Sequence, residues 1–299
     1  MASPLGRRAF LGLSGLGLVG AAVPTAVLAA CSSGGGGGGS DLVALPNDWE
    51  FLSGRPYRLG VLLASQKHNG APVTMNSPVT VRVAAPGGGY GPPIPLEIHG
   101  AGPEPTYAQT MYTFPAPGNY TLEVAFKGQK TTSPIQVITP AQSSTPVVGA
   151  QLPSVPTPTV TAPAGVNPIC TQQPPCPFHA TSLDAALAAH RPVVLQFATP
   201  AFCQSKFCGP VLLNLQAAAK PWGSRVTFIH CEIYRDDHGP TNAPDGNLAP
   251  AVAAYNLQHE PMLYLADTRG VVVDRIDNLY DQVEARSALT RAFGAGTLS

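Results

Sequence analysis

Apolar and polar residues alternate in short runs between residues 41 and 140. PYRLGVLLAS, PVTVRVAAP, PIPLEIHG, AQTMYTF, NYTLEVAF and SPIQVIT stand out, and Gly, Pro or Asn clusters separate them. A period of two in runs of this length predicts strands, so residues 41–140 read as an all-β sandwich domain.

From residue 168 the period lengthens. Residues 181–190 predict a helix, with Thr181 and Asp184 as a capping box. Residues 192–198 predict an apolar strand, and residues 209–220 a helix that carries Pro210 in its first turn. A long strand over 225–234 and a short helix over 247–257 follow. Two strands over 262–266 and 271–276 form a hairpin through Asp267-Thr268-Arg269-Gly270. The last helix spans 281–293, with Asp281 and Glu284 at its start and Gly294 at its end. This order predicts an α/β domain with a mixed sheet over 168–299. Between the two domains, residues 141–167 are rich in Pro, Ser, Thr and Val. That composition predicts an extended, semi-rigid spacer that separates them.

The first thirty residues follow another pattern. Arg7 and Arg8 precede a moderately apolar, Gly-rich run that closes on Leu28-Ala29-Ala30-Cys31. This resembles a twin-arginine signal peptide (residues 1–30) ending in a lipobox. The resemblance implies export, cleavage before Cys31 and lipidation of that cysteine by two acyl chains, enough for stable anchoring. A Gly/Ser tether over 31–40 would then join the domains to the extracytoplasmic face of the cell membrane, where disulfides persist. The competing reading is an uncleaved transmembrane helix.

The chain has 299 residues, with 17 Lys+Arg against 17 Asp+Glu. That balance leaves no electrostatic footprint for nucleic acid. Charged residues make up only 11%, while Gly (31) and Pro (33) are abundant, which fits linkers and β-structure rather than long charged helices.

Two family resemblances follow. Pro115-Ala116-Pro117-Gly118-Asn119-Tyr120 leads into a late strand. This is similar to the tyrosine corner of immunoglobulin-like sandwiches. The stretch VLQFATPAFCQSKFCGPV places a cysteine loop between a central apolar strand and a helix, and Pro261 opens the C-terminal hairpin. Together with the element order this resembles the thioredoxin fold over residues 168–295. The resemblance implies a cis-proline at Pro261 facing Cys203 and Cys208, and thiol–disulfide exchange with extracytoplasmic protein thiols or disulfides as partners. The pattern departs from the family's C-x-x-C, because Val211 stands where its second cysteine would be.

The candidate chemistry lies in Cys203 and Cys208. A helix N-terminus lowers a thiol pKa, so the helix predicted after Cys208 should stabilise the Cys208 thiolate, with Cys203 the more exposed. Either sulfur could be the nucleophile. His259 and Glu260 precede Pro261 and would support the pair; His259 could lower a thiol pKa or supply a metal nitrogen. Cys170 and Cys176 read as a local structural disulfide, since their spacing is too wide for a usual zinc knuckle and no second knuckle exists. Cys231 reads as a small buried strand residue. Without Cys31 five cysteines remain, so a monomer keeps at least one free thiol. His68 and His99 read as surface or loop residues, and 235–247 as a solvated loop. No cofactor and no metal are expected. Two other functions compete: a copper-binding metallochaperone-like protein using Cys203 and Cys208, and a non-catalytic interaction protein.

Overall fold

The computed structural model describes residues 40–100, 105–242 and 245–294. Arg7, Arg8 and Cys31, with the expected signal peptide and nearly all of the tether, lie outside the described residues. No helix among the described residues is long and apolar enough to cross a membrane.

The N-terminal part is all β, as its alternation predicts. Its strands are β1 (Leu42–Pro46), β2 (Phe51–Leu52), β3 (Tyr57–Ser65), β4 (Ala71–Pro72), β5 (Val79–Ala84), β6 (Ile94–His99), β7 (Tyr107–Tyr112), β8 (Gly118–Phe126) and β9 (Gln129–Ile138). They form a continuous sheet in the order β1-β3-β7-β6-β5-β8-β9-β2, with β4 paired to β3. Strand β6 joins its halves. Residues 94–96 pair with β5, and residues 97–99 pair with β7. The alternation is visible in β8, where Tyr120, Leu122, Val124 and Phe126 point into the core and their neighbours do not. The Tyr120 hydroxyl donates to the Ala116 carbonyl at 2.8 Å, which ties the turn to the strand it precedes.

The C-terminal part contains α1 (Leu183–Ala188), β10 (Val193–Phe197), α2 (Cys208–Ala219), β11 (Thr227–Cys231), α3 (Pro250–Ala254), β12 (Met262–Ala266), β13 (Val272–Asp277) and α4 (Gln282–Phe293). Its sheet order is β11-β10-β12-β13. Strand β10 is parallel to β11, and the other pairs are antiparallel. Every residue of β10 is buried, as a central strand covered on both faces requires. Asp281 caps α4 by accepting the Glu284 N–H at 2.8 Å, as the sequence predicts. The cap of α1 differs. The Leu183 N–H is taken by the Thr157 hydroxyl at 2.9 Å, so a residue outside the helix replaces the expected capping box.

Thr157 belongs to the segment that composition marks as a spacer. That segment does not hold the two parts apart. Gly149 and Leu152 donate to the carbonyls of Val272 and Gly270, and Val272 donates to Ala150. The segment thus adds to the open edge of β13. Leu152, Thr157 and Val166 are buried. Gly270 has φ +76° in the hairpin turn, and a Cβ there would come within 2.6 Å of the Gln151 side chain. Free backbone groups on an edge strand, together with a few apolar side chains, are enough to bind a Pro-rich stretch.

The two parts also share a polar seam. Arg58 on β3 is buried, and every nitrogen of its guanidinium donates. Nε reaches Glu284 at 2.7 Å, Nη1 reaches Asp48 and the carbonyls of Asn47 and Asp277 at 2.9 Å each, and Nη2 reaches the Leu279 carbonyl at 2.6 Å. Tyr107 donates to Glu284, and Arg275 pairs with Asp277 and Glu50. His99, expected at the surface, is buried here between Asp281 (3.2 Å) and Gln109 (3.1 Å). His68 is exposed as expected.

Candidate functional site

Strand β10 ends at Phe197, and the loop after it delivers Cys203 to the start of α2. Phe202 anchors the loop. Its ring meets Tyr234 edge-on at 5.8 Å and covers Gly239, where a Cβ would come within 2.7 Å of the ring. Cys203 is half-buried, whereas Cys208, the first residue of α2, is fully buried.

The helix start acts on Cys203 rather than on Cys208. The Cys208 N–H donates to Cys203 Sγ at 3.3 Å, and Ser205 Oγ lies 3.2 Å from the same sulfur. Phe207, the N-cap residue, offers no side-chain acceptor, so the Cys203 sulfur occupies that place. The hydrogen bond from the Cys208 side chain, aided by Ser205 and the backbone N–H groups of Cys208 and Phe207, brings the Cys203 thiol down to about 5 against the cost of its burial. Burial, and then its bond to Cys203, push the Cys208 thiol well above its usual range. The sequence expectation that the helix stabilises the Cys208 thiolate is therefore corrected. The first helical residue turns its own side chain into the core, and its amide points back at the preceding loop.

Glu260 and Pro261 are joined by a cis peptide bond at the entry to β12. The Glu260 carboxylate and the sulfurs of Cys203 and Cys208 all lie within 4.8 Å of one another. Burial, and then the charge on Cys203, raise the Glu260 carboxyl to about 7. His259 is not in this group. It is exposed and stacks on Trp49 with ring centroids 4.8 Å apart and planes at 17°. Trp49 also donates to the Pro261 carbonyl at 3.4 Å. A residue of the N-terminal part thus reaches the proline loop, and nothing in the sequence signals it.

All five described cysteines are free thiols. The local disulfide expected between Cys170 and Cys176 is not formed. These sulfurs instead meet two imidazoles. Cys176 Sγ lies 3.3 Å from His179 Nε2 and 3.4 Å from His230 Nδ1, and the Cys176 N–H donates to Cys170 Sγ at 3.3 Å. The Cys176 thiol, donating to Cys170, holds the Cys170 thiol far below its usual range, and the Cys176 thiol rises in return. The four side chains are buried, with all ligand atoms within 4.8 Å of one another. The sequence reading missed His179 and His230. The available signal was the close grouping Cys-Cys-His in ICTQQPPCPFH, to which a strand histidine could be added.

Thr171 links the two cysteine groups. Its N–H and hydroxyl reach buried Glu232 at 2.6 and 2.9 Å, and its hydroxyl accepts the Ala201 N–H at 3.1 Å. Cys231 is buried, as expected, and burial raises its thiol pKa. Asp236, Asp237 and His238 gather on the solvated loop, where Asp236 accepts from the His238 N–H and from Asn247.

No family model and no curated protein matches the chain. Among solved structures it is similar to the crystal structure of the Lin-41 filamin domain, at 16% identity and a TM-score of 0.23. That match covers 33% of this chain and 92% of the other.

Proposed function

We propose that the chain is a thioredoxin-like thiol–disulfide exchange protein carrying an immunoglobulin-like N-terminal domain. The observation that carries the reading is the position of Cys203. Its half-buried sulfur receives the first amide of α2 and lies beside Cys208 and the residue before a cis-proline. The strand order β11-β10-β12-β13, with the cysteine loop between β10 and α2, supports the thioredoxin-like assignment. The Tyr120–Ala116 bond supports the immunoglobulin-like one.

The roles follow from environment. The Cys203 thiolate attacks a partner disulfide, breaking its S–S bond and releasing one partner sulfur as thiolate. The result is a mixed disulfide on Cys203. Cys208 then gives its proton to Glu260, the nearby group that titrates at about 7. The Cys208 thiolate attacks Cys203 Sγ and displaces the second partner sulfur. Two electrons pass to the partner, and Cys203 and Cys208 end joined. Glu260, rather than His259, accompanies the sulfurs, and a carboxylate oxygen suits copper less than imidazole does.

In a disulfide-reduction assay, Cys203→Ser should abolish turnover. Cys208→Ser should accumulate a mixed disulfide on Cys203, detectable as an adduct by mass spectrometry. Unchanged turnover in both variants, without adduct, would exclude exchange through this pair. The signal and lipobox reading adds an extracytoplasmic, membrane-anchored location to the proposal. Cys31→Ala should move the protein from the membrane fraction to the soluble one; retention in the membrane would refute the lipid anchor.

A further inference from the structure

Cys170, Cys176, His179 and His230 form a second group, apart from the exchange chemistry above. Their exposures are 3%, 5%, 3% and 0%. Three of the distances among their ligand atoms are 3.3, 3.4 and 3.3 Å: Cys176 Sγ to His179 Nε2, Cys176 Sγ to His230 Nδ1, and between the two imidazole nitrogens. A tetrahedral zinc ion with ordinary bond lengths needs edges of about 3.4 Å between nitrogens, about 3.6 Å from sulfur to nitrogen and about 3.8 Å between sulfurs. The three observed spacings match one face of such a tetrahedron, and Cys170 Sγ lies within 4.8 Å of each of its corners.

The hydrogen bonds around the rings point the same way. His179 Nδ1 lies 3.4 Å from the Pro158 carbonyl, and His230 Nε2 lies 3.0 Å from the Ala198 carbonyl. A carbonyl only accepts, so these two nitrogens carry the hydrogens. A neutral imidazole has one N–H. In the neutral form that binds a metal, both rings therefore present lone pairs from their two facing nitrogens, 3.3 Å apart. Two sulfurs complete the group. Electron-rich atoms converging in a buried place call for a cation at their centre. Backbone carbonyls that fix the remote ring nitrogens are also the usual outer partners of metal-bound histidines.

We propose that these four residues bind one zinc ion as a closed structural site. Zinc accepts mixed sulfur and nitrogen ligands in tetrahedral geometry, and four protein ligands leave no open position for catalysis. With two thiolates and two neutral imidazoles around Zn²⁺ the cluster is neutral, which suits its burial. The ion would pin the loop before α1 to β11.

The test uses the full chain, reduced, with Zn²⁺ or Co²⁺ as the only metal supplied. The expected result is one ion per chain by elemental analysis, with two sulfur and two nitrogen ligands by X-ray absorption. Co²⁺ should give the visible bands of a tetrahedral site and a thiolate charge-transfer band. Cys176→Ser and His230→Gln should lose the ion. Because a buried ligand change can also unfold the loop, the ligand count on the unmodified chain is the deciding measurement. A Cys203→Ser/Cys208→Ser double variant should keep the ion, which separates this proposal from the exchange reaction. Loss of the ion in that double variant, no uptake of Co²⁺ by the reduced chain, or a Cys170–Cys176 disulfide in the chain isolated without reductant would each overturn it.

Discussion

Cys203 and Cys208 carry the same functional group and differ only in surroundings. One sulfur receives an amide, a hydroxyl and a thiol; the other is closed off from water. The thiolate is the reactive species, so the difference should appear as reactivity. In the reduced chain, iodoacetamide labelling of Cys203 should reach half its maximum near pH 5, where its thiol titrates. Cys208 should stay unlabelled across that range. Peptide mapping of the labelled chain measures both, and a Cys203 profile centred on the ordinary thiol value of 9.0 would contradict the assignment. Stability should follow with a definite sign. The folded pKa is depressed, so this contribution is full above the unfolded value and is lost as pH falls towards about 5. The oxidised chain, which lacks the thiolate, should not show that loss.

At the level of elements, periodicity carried most of the reading. The six quoted β runs each match an observed strand, because alternation in a half-buried strand is a property of neighbouring residues. The predicted hairpin of β12 and β13 and the helix α4 with its Asp281 cap were legible for the same reason. The thioredoxin resemblance pointed to the proximity of Cys203, Cys208 and Glu260, and their ligand atoms lie within 4.8 Å of one another. What was not legible is what the fold assembles from afar. His179 and His230 are 51 residues apart, and only His179 lies close to the cysteines in sequence. Trp49 reaches Pro261 across 212 residues. The start of α1 moved because Thr157, a distant residue in sequence, answers its first amide. Proline-rich composition states that residues 141–167 build no core of their own; it does not reveal that β13 offers an edge.

For the whole molecule, the Arg58 seam sets the behaviour. A buried guanidinium is tolerated when every donor is used, and removing one partner leaves the others charged and unanswered. Arg58→Met would strand the Asp48 and Glu284 carboxylates, which are 4% and 5% exposed. It should cost about 3–5 kcal/mol, read as a lower midpoint in urea unfolding followed by circular dichroism. The unmodified chain should unfold in a single transition, and two separated transitions would mean that the seam does not couple the parts. The Pro-rich segment, stitched to β13 at 149–152 and to the Arg235 carbonyl through Asn167, completes the coupling. One mechanical consequence is that this segment lends the thiol no reach. In the proposed exchange this makes the stretch from Ser40 to the Cys203 sulfur a lever arm, which would meet a partner disulfide at a fixed standoff from wherever Ser40 is held.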